Sequence, residues 1–355
     1  MRETLGRNVP RIESFEAFHV AMPRGRRPES VLVKLTCDDG VTGWGETAGH
    51  DIAWTDLEER LGPALLGLDW DRPEDLSGIR ALAGPGATAA VDMAVWDLWG
   101  RAHQVPVWHA LGGTRTSVVT GARIPCEPVL DTLLPRVNRY IGGGYARVTL
   151  EIRPGFDIEA VRTVRRSFPA LALQVDAAGS YTDCAEHLET LEALDAYDVI
   201  AIERPFAPGD LVAHAQLQRI VRAAVAPAID DLDTLEAAIT LEAGRALSLR
   251  ISRLGGLTAA RAAHDRGYAA GWEIWCGGAG AFGVGQAAAV ALASMPGCSL
   301  PSDITEMAGG PEFVSPPVRS TGGVVAVPLT QPGLGHTVDE RRIARLATRA
   351  LDFRP

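Results

Sequence analysis

The chain reads LALQVD at residues 171–176, VIAIE at residues 199–203 and APAIDD at residues 226–231. Each stretch is a short apolar run that ends in an acidic residue, and a helical pattern follows each one. Strands that alternate with helices about every 20 to 30 residues are typical of a parallel sheet. These three stretches therefore predict an α/β fold with acids at the carboxyl ends of neighbouring strands.

The same pattern extends in both directions along the chain. Seven apolar runs fit it: Val118–Ile124, Ala146–Ile152, Leu171–Asp176, Val199–Glu203, Ala226–Asp231, Ala246–Ile251 and Trp272–Cys276. Seven or eight strand–helix repeats close into a (β/α) barrel of the TIM type. We assign this barrel to residues 116–320, with its eighth strand indistinct around Cys298–Ile304.

The residues outside the barrel have a different pattern. Residues 1–115 combine β-rich runs with helical periodicity, which predicts an α+β capping domain. Residues 321–355 are expected to return to that cap. The elements behind this assignment are the strands Ser14–Phe18, Val31–Leu35 and Gly322–Val327, and helices at Leu57–Leu66, at Ala87–His103 and from Asp339 onward.

Composition narrows the class of partner. The net charge of the 355 residues is −10, which disfavours nucleic acid because phosphates need clustered basic side chains. No apolar run approaches the ~20 residues of a membrane span. The five scattered cysteines have no C-x-x-C pair, so neither a disulfide framework nor a zinc site is indicated. We expect a cytoplasmic protein with a small-molecule partner, and a homo-oligomer.

The acids Asp176, Glu203 and Asp231 end three successive predicted strands. Because the carboxyl ends of barrel strands surround one opening, which we call the mouth, these carboxylates are expected to converge there. Converging carboxylates repel one another unless a cation lies between them, and oxygen ligands favour Mg²⁺, with Mn²⁺ as a second possibility. The alternative is that each acid is a helix N-cap in a loop after its strand.

Several motifs occur in order along the chain: AVDMAVWDL at 90–98, LGG at 111–113, GYAR at 144–147, VDA at 175–177, IERPF at 202–206, SRLGGL at 252–257 and CGG at 276–278. Together they resemble the enolase superfamily, in particular its muconate-lactonizing branch with the o-succinylbenzoate synthases and N-acylamino acid racemases. The resemblance implies a capped barrel in which Mg²⁺ on Asp176, Glu203 and Asp231 binds a substrate carboxylate. A base would then remove the adjacent proton and leave an enolate.

The resemblance fails at the positions of the basic residues. The family uses lysines on the second and sixth barrel strands, where this chain has Thr149, Glu151 and Arg250. The single lysine of the sequence, Lys34, belongs to the cap. We interpret Glu151 as the candidate base and Arg250 as its electrostatic partner. A structural salt bridge between these two residues is the alternative.

One credible base favours a reaction on one face of the substrate, such as elimination of water or cycloisomerisation, rather than racemisation. The competing hypothesis is a catalytically silent barrel that serves as a binding or scaffolding protein. Further candidates for contact with the substrate are Arg24, Arg26 and Arg27 in one cap loop, His50 in another, Arg123 at the end of the first barrel strand, and Cys276 at the end of the seventh.

Overall fold

The computed structural model describes residues 11–21, 29–49, 51–66, 68, 70–126, 130–278, 282–304 and 312–354. The strands are β1 (Ile12–Val20), β2 (Ser30–Cys37), β3 (Thr42–Ala48), β4 (Ser117–Val119), β5 (Gly121–Ile124), β6 (Arg147–Glu151), β7 (Ala172–Asp176), β8 (Val199–Glu203), β9 (Ala224–Ala226), β10 (Ala246–Leu249), β11 (Glu273–Cys276), β12 (Val314–Ser315), β13 (Val324–Ala326), β14 (Thr337–Val338) and β15 (Ala347–Phe353).

The α-helices are α1 (Asp51–Asp56), α2 (Gly62–Leu65), α3 (Pro85–Ala102), α4 (Val107–Ala110), α5 (Leu133–Gly142), α6 (Ile158–Ser167), α7 (Ala185–Ala193), α8 (Leu211–Ile220), α9 (Leu232–Thr240), α10 (Ile251–Leu254), α11 (Leu257–Ala269), α12 (Val284–Ala293) and α13 (Glu340–Leu346). A π-helical turn spans Leu57–Leu61, and 3₁₀ turns span Pro73–Ala81, Leu130–Thr132 and Leu194–Tyr197. Within these ranges no helix is both long and apolar enough to span a bilayer.

The cap is an antiparallel sheet with helix α3 packed on it. Its strand order is β15-β1-β2-β3, so the last strand of the chain pairs with the first. Helix α3 lies so close to β3 that a Cβ on Gly45 would stand 1.8 Å from the carbonyl oxygen of Ala90. Glycine in β3 therefore lets the two backbones touch, and the buried residues of α3 fill the core of the cap.

The barrel consists of parallel strands in the order β5-β6-β7-β8-β9, followed by the parallel pair β10-β11. The Arg245 N–H donates to the carbonyl of Val225 at 3.0 Å and joins β9 to the start of β10. Residues 300–303 fill the remaining gap, because Gly121 donates to Ser302 and Asp303 donates to Cys276, both at 2.8 Å. The predicted (β/α) barrel with an α+β cap is confirmed.

Two predicted strands differ from the structure. The run at 226–231 was expected to end at Asp231, but β9 ends at Ala226 because Pro227 has no N–H to donate to a neighbouring strand. The strand near 322–327 was expected to return to the cap, but β13 pairs with β4 instead. The return to the cap is made by β15, in a segment for which helix was predicted.

Two cap carboxylates dock the cap on the barrel by occupying the amino ends of barrel helices. Glu46 accepts the N–H groups of Phe282 at 2.6 Å and Gly285 at 2.9 Å, at the start of α12. Asp92 accepts the N–H of Thr258 at 3.1 Å, at the start of α11. A helix amino end carries unpaired N–H groups and partial positive charge, so these contacts orient the cap over the barrel.

Candidate active site at the barrel mouth

Three carboxylates form a row at the mouth. The parallel register places Glu151 beside Asp176 and Asp176 beside Glu203, at the carboxyl ends of β6, β7 and β8. Paired residues of neighbouring strands point to the same side of a sheet, so the three side chains share one layer. Asp176 and Glu203 are buried, and Glu151 is half-buried.

The guanidinium of Arg123 joins the two buried members of this row. Its Nη1 bonds Asp176, and its Nη2 donates to Oε2 of Glu203 at 2.6 Å. The same Nη2 also donates to Oδ2 of Asp303 at 3.1 Å. One positive group on β5 thus contacts carboxylates from two other strands and from the closing segment 300–303.

Two further arginines bind the same carboxylates from the solvent side. Arg204 bonds Asp176 through two nitrogens, with Nε 3.0 Å from Oδ1, and Arg250 donates from Nη2 to Oε1 of Glu203 at 2.8 Å. The side chains of Arg204 and Arg250 are 23% and 21% exposed, whereas their carboxylate partners are almost completely buried. The mouth therefore presents part of two guanidinium groups to an incoming molecule.

These charges decide the ionisation of Glu203. Burial alone would raise the pKa of its carboxyl, because charge is costly away from water. The positive charges of Arg123, Arg250 and Arg204 outweigh that cost and lower the pKa of Glu203 to about 2. Glu203 is therefore an anion at every physiological pH.

A fourth arginine lies deeper in the barrel. Arg147 is fully buried, donates to Oε1 of Gln174 at 2.6 Å, bonds Asp303, and stands 5.5 Å from the ring centre of Trp275. Its side chain fills the space left by Gly121, where a Cβ would be 2.7 Å from its Nε. Burial lowers the pKa of this guanidinium, while the charge of Asp303 opposes that effect.

Glu151 lies beside this network and takes no part in its ion pairs. Its Oε2 accepts the N–H of Cys126 at 3.1 Å. The ion pairs of the described residues join Arg250 to Glu203, not to Glu151, so the alternative of a Glu151–Arg250 salt bridge is wrong. Thr149 is buried on the same face, with no hydrogen-bond partner for its Oγ1 within the described part of the chain.

Asp231 does not join the row of acids. Its carboxylate caps helix α9 by accepting the N–H and the hydroxyl of Thr234 at 2.7 and 2.9 Å, and it is exposed. Its neighbour Asp230 is also exposed and lies 3.6 Å from Arg253. The structure gives Asp231 the N-cap role that was the alternative interpretation of the three acids.

Two family profiles match the chain. Residues 7–112 match the amino-terminal domain of mandelate racemase and muconate lactonizing enzyme, and residues 133–342 match the enolase C-terminal domain-like family. Together they cover most of the sequence, in the order of cap and barrel. The chain belongs to the mandelate racemase/muconate lactonizing enzyme family of the enolase superfamily.

Relatives in this family are named lyases and isomerases. The chain is 34% identical to an o-succinylbenzoate synthase of Geobacillus kaustophilus, over 89% of this chain and 88% of that protein. It is 34% identical to an N-succinylamino acid racemase of Thermus thermophilus, over 77% and 75%. The structure of an enolase superfamily member from Listeria innocua superposes with a TM-score of 0.89 at 28% identity, over 97% and 99%. The expected resemblance to the lyase and isomerase branch is confirmed.

Members of this family generally use Mg²⁺, so the fit of these residues to such an ion can be tested. Two of the predicted ligands, Asp176 and Glu203, lie together, but the Arg123 guanidinium lies between them. Among the described residues no group of three His, Cys, Asp or Glu side chains is arranged to hold a metal ion. The donor set does not fit Mg²⁺ in this geometry, and we derive no chemistry through one.

Lys34, the single lysine of the sequence, does not reach the mouth. Lys34 lies on β2 in the cap, where its Nζ is 2.9 Å from Glu340 and 3.2 Å from Glu16. It also faces the ring of Trp44. The cationic side chains of the described network, those of Arg123, Arg147, Arg204 and Arg250, are all arginines, whose pKa is too high for them to act as bases.

The remaining candidates for contact with the substrate are one buried thiol and four residues outside the described ranges. Cys276 is buried, and burial together with the neighbouring thiol of Cys298 raises its pKa well above the usual range, which disfavours the thiolate that a nucleophile needs. The predicted cap-loop contacts Arg24, Arg26, Arg27 and His50 lie outside the described residues.

Sequence reasoning missed three members of the network, Arg147, Arg204 and Asp303. Arg204 directly follows Glu203 and has a positive φ of 49°, which turns its side chain back toward Asp176. Asp303 lies in the indistinct eighth barrel segment, where no strand pattern marked it. Acids and arginines clustered at strand ends were the available signal, but their pairing depends on the closed barrel.

Proposed function

We propose that this chain binds a small carboxylate at the barrel mouth and converts it, as a lyase or isomerase, by chemistry on one face of the substrate. The observation that carries the proposal is the partial exposure of the guanidinium groups of Arg204 and Arg250 above buried partners. A planar guanidinium binds a carboxylate through two parallel N–H donors. Membership of a family of lyases and isomerases supports the reaction class.

Glu151 is the proposed base. It neighbours Asp176 in the row, it is half-buried, and its described contact is a backbone N–H rather than a guanidinium. Removal of the proton beside a bound carboxylate leaves an electron pair that spreads onto the carboxylate oxygens. Fixed guanidinium charges at those oxygens would stabilise the resulting enolate more than they stabilise the substrate.

Elimination of water follows from this arrangement. The electron pair of the enolate forms a carbon–carbon double bond as the hydroxyl group on the next carbon departs. Protonated Glu151 gives its proton to that hydroxyl, so water leaves and the carboxylate is restored. Racemisation would require a second acid–base group on the opposite face; the resemblance to the family assigns that position to Arg250, an unsuitable base.

The second candidate is a catalytically silent barrel that binds a carboxylate without changing it. It is favoured by the ion pairing of Asp176 and Glu203 with arginines, which leaves Glu151 as the single candidate base in the row. Both candidates predict carboxylate binding that depends on Arg250. They differ in whether the proton next to the carboxylate exchanges.

The deciding experiment incubates the protein with a panel of small hydroxycarboxylates in D₂O and follows the protons by NMR. We expect exchange or elimination with at least one compound, and its loss in Glu151→Gln. The matched control is Glu273→Gln, an exposed residue at the opposite end of the barrel, which should keep full activity. Binding of the panel without exchange would favour the silent barrel, and neither binding nor exchange would contradict both candidates.

Other features stay predictions. They are the bounds 1–115, 116–320 and 321–355 of the cap, the barrel and the carboxyl-terminal segment, together with cytoplasmic location and homo-oligomerisation. The Mg²⁺ or Mn²⁺ cofactor also stays a prediction from the sequence, and it conflicts with the contacts of Arg123.

A further inference from the structure

Two of the three acids expected to hold a metal, Asp176 and Glu203, have all four of their carboxylate oxygens in hydrogen bonds. Oδ1 of Asp176 accepts from the N–H of Ala178 and from Nε of Arg204, both at 3.0 Å, and Oδ2 bonds Arg123 and Arg204. Oε1 of Glu203 accepts from Arg250 at 2.8 Å, and Oε2 accepts from Arg123 at 2.6 Å. A divalent ion would have to displace at least two charged hydrogen bonds to reach both acids.

The guanidinium of Arg123 lies between Asp176 and Glu203, on one of the two pairs of oxygens that a shared ion could use. Mg²⁺ sits about 2.1 Å from each oxygen ligand. An ion on Oδ2 of Asp176 and Oε2 of Glu203 would need the oxygens that Arg123 contacts, and an ion on Oδ1 and Oε1 would need those that Arg204 and Arg250 contact. The guanidinium and the ion would then be a few ångströms apart in a buried site, where like charges repel strongly.

The balance of charge in the network leads to the same conclusion. Four guanidinium groups, those of Arg123, Arg147, Arg204 and Arg250, face the carboxylates of Asp176, Glu203 and Asp303. Glu151 lies beside Asp176 in the same row, so the four arginines match four acidic side chains without any bound ion. A divalent cation would add two uncompensated positive charges beside buried groups, which is unfavourable.

We propose that Arg123 is a built-in counter-cation that takes the place of the divalent metal of this family, so that the resting site binds no divalent metal. The proposal concerns the resting charge of the mouth. The proposal does not depend on whether Glu151 performs the chemistry proposed above. Its test needs no substrate.

The test is a titration with Mn²⁺, a paramagnetic substitute for Mg²⁺, after dialysis of the protein against EDTA. Binding is read from the loss of the free-ion signal in electron paramagnetic resonance and from calorimetry. We expect no saturable binding to the wild type at millimolar Mn²⁺. Arg123→Ala should gain a saturable site because it frees oxygens of three carboxylates, and Arg123→Ala/Glu203→Gln should lose it again.

The matched control is Arg123→Lys, which keeps a positive charge near the same carboxylates. Like the wild type, it should show no saturable binding of Mn²⁺. Circular dichroism establishes that each variant is folded. Stoichiometric binding of Mn²⁺ by the wild type, weakened by Glu203→Gln, would overturn the proposal. If folded Arg123→Ala binds no ion, Arg123 does not occupy the place of the cation. If Arg123→Ala does not fold, the wild-type and Arg123→Lys titrations decide.

Discussion

Arg250 donates a hydrogen bond of 2.8 Å from Nη2 to Oε1 of Glu203, which joins the end of β10 to the end of β8. The other oxygen of the same carboxylate is held by Arg123. Glu203 is therefore a shared partner of two arginines, in a position without solvent exposure. Removal of its charge would leave Arg123 and Arg250 without the buried carboxylate that they share.

We predict that Glu203→Gln lowers the free energy of unfolding by about 3 kcal/mol, because breaking a buried ion pair leaves an uncompensated buried charge. Urea unfolding followed by fluorescence measures the change. The matched control is Glu236→Gln, which breaks an exposed pair with Arg266 and should leave stability unchanged. Equal effects of the two substitutions would contradict a special role for the buried pair.

The second prediction concerns the helix cap at Asp231. Asp231→Ala removes the acceptor of the Thr234 N–H and should lower the free energy of unfolding by about 1 kcal/mol. Asp231→Asn keeps an acceptor oxygen and should lower it much less. Thermal unfolding with and without Mg²⁺ measures both variants. A stabilising effect of Mg²⁺ on the wild type that either substitution abolishes would instead make Asp231 a metal ligand.

The parts of the site that could be predicted are those set by local pattern. The prediction for β8, residues 199–203, coincides with the strand, because an apolar run there is bounded by an acid and by Pro205. In parallel strands the ends of neighbouring runs align, so the proximity of Asp176 and Glu203 followed from their positions alone.

The pairing of the arginines could not be predicted in the same way. An arginine side chain is long and has several rotamers, so the partner it reaches depends on the closed barrel and not on its neighbours in sequence. Arg123 was a candidate for contact with substrate, and the structure shows its ion pairs with Asp176 and Glu203. Asp303 was missed because its segment closes the barrel with few residues beside Pro301 and has no strand periodicity.

The third prediction is a pH dependence at the interface between cap and barrel. Burial raises the pKa of Asp92 to about 6, although hydrogen bonds from Thr258 and the charge of Arg80 oppose the shift. Between the ordinary value of 3.8 and about 6, the folded protein holds a proton that the unfolded chain has released. Stability contributed by this group therefore falls as the pH rises through that window.

Asp92→Asn removes this titration, while its amide oxygen can still accept the N–H of Thr258. We expect the free energy of unfolding of the wild type, relative to the variant, to fall by on the order of 2 kcal/mol from pH 4 to pH 7. Urea unfolding at each pH measures it. The control is Asp339→Asn, an exposed N-cap with the same change of charge. If the free energy of unfolding of Asp92→Asn changes with pH in parallel with that of the wild type, the prediction is contradicted.

The last prediction concerns the contact between β3 and α3 that fixes the cap. A methyl group on Gly45 would meet the carbonyl oxygen of Ala90 at 1.8 Å, and backbone atoms cannot move aside as a flexible side chain can. Gly45→Ala should therefore separate strand from helix and lower the free energy of unfolding by about 3 kcal/mol, the upper end of typical overpacking costs. Gly142→Ala, at the end of α5 with open space around it, is the matched control and should be neutral or slightly stabilising. Because Glu46 follows Gly45 directly and holds the start of α12, we also expect the loosened cap to weaken carboxylate binding at the mouth. A Gly45→Ala protein as stable as Gly142→Ala would show that the cap tolerates a wider gap between β3 and α3.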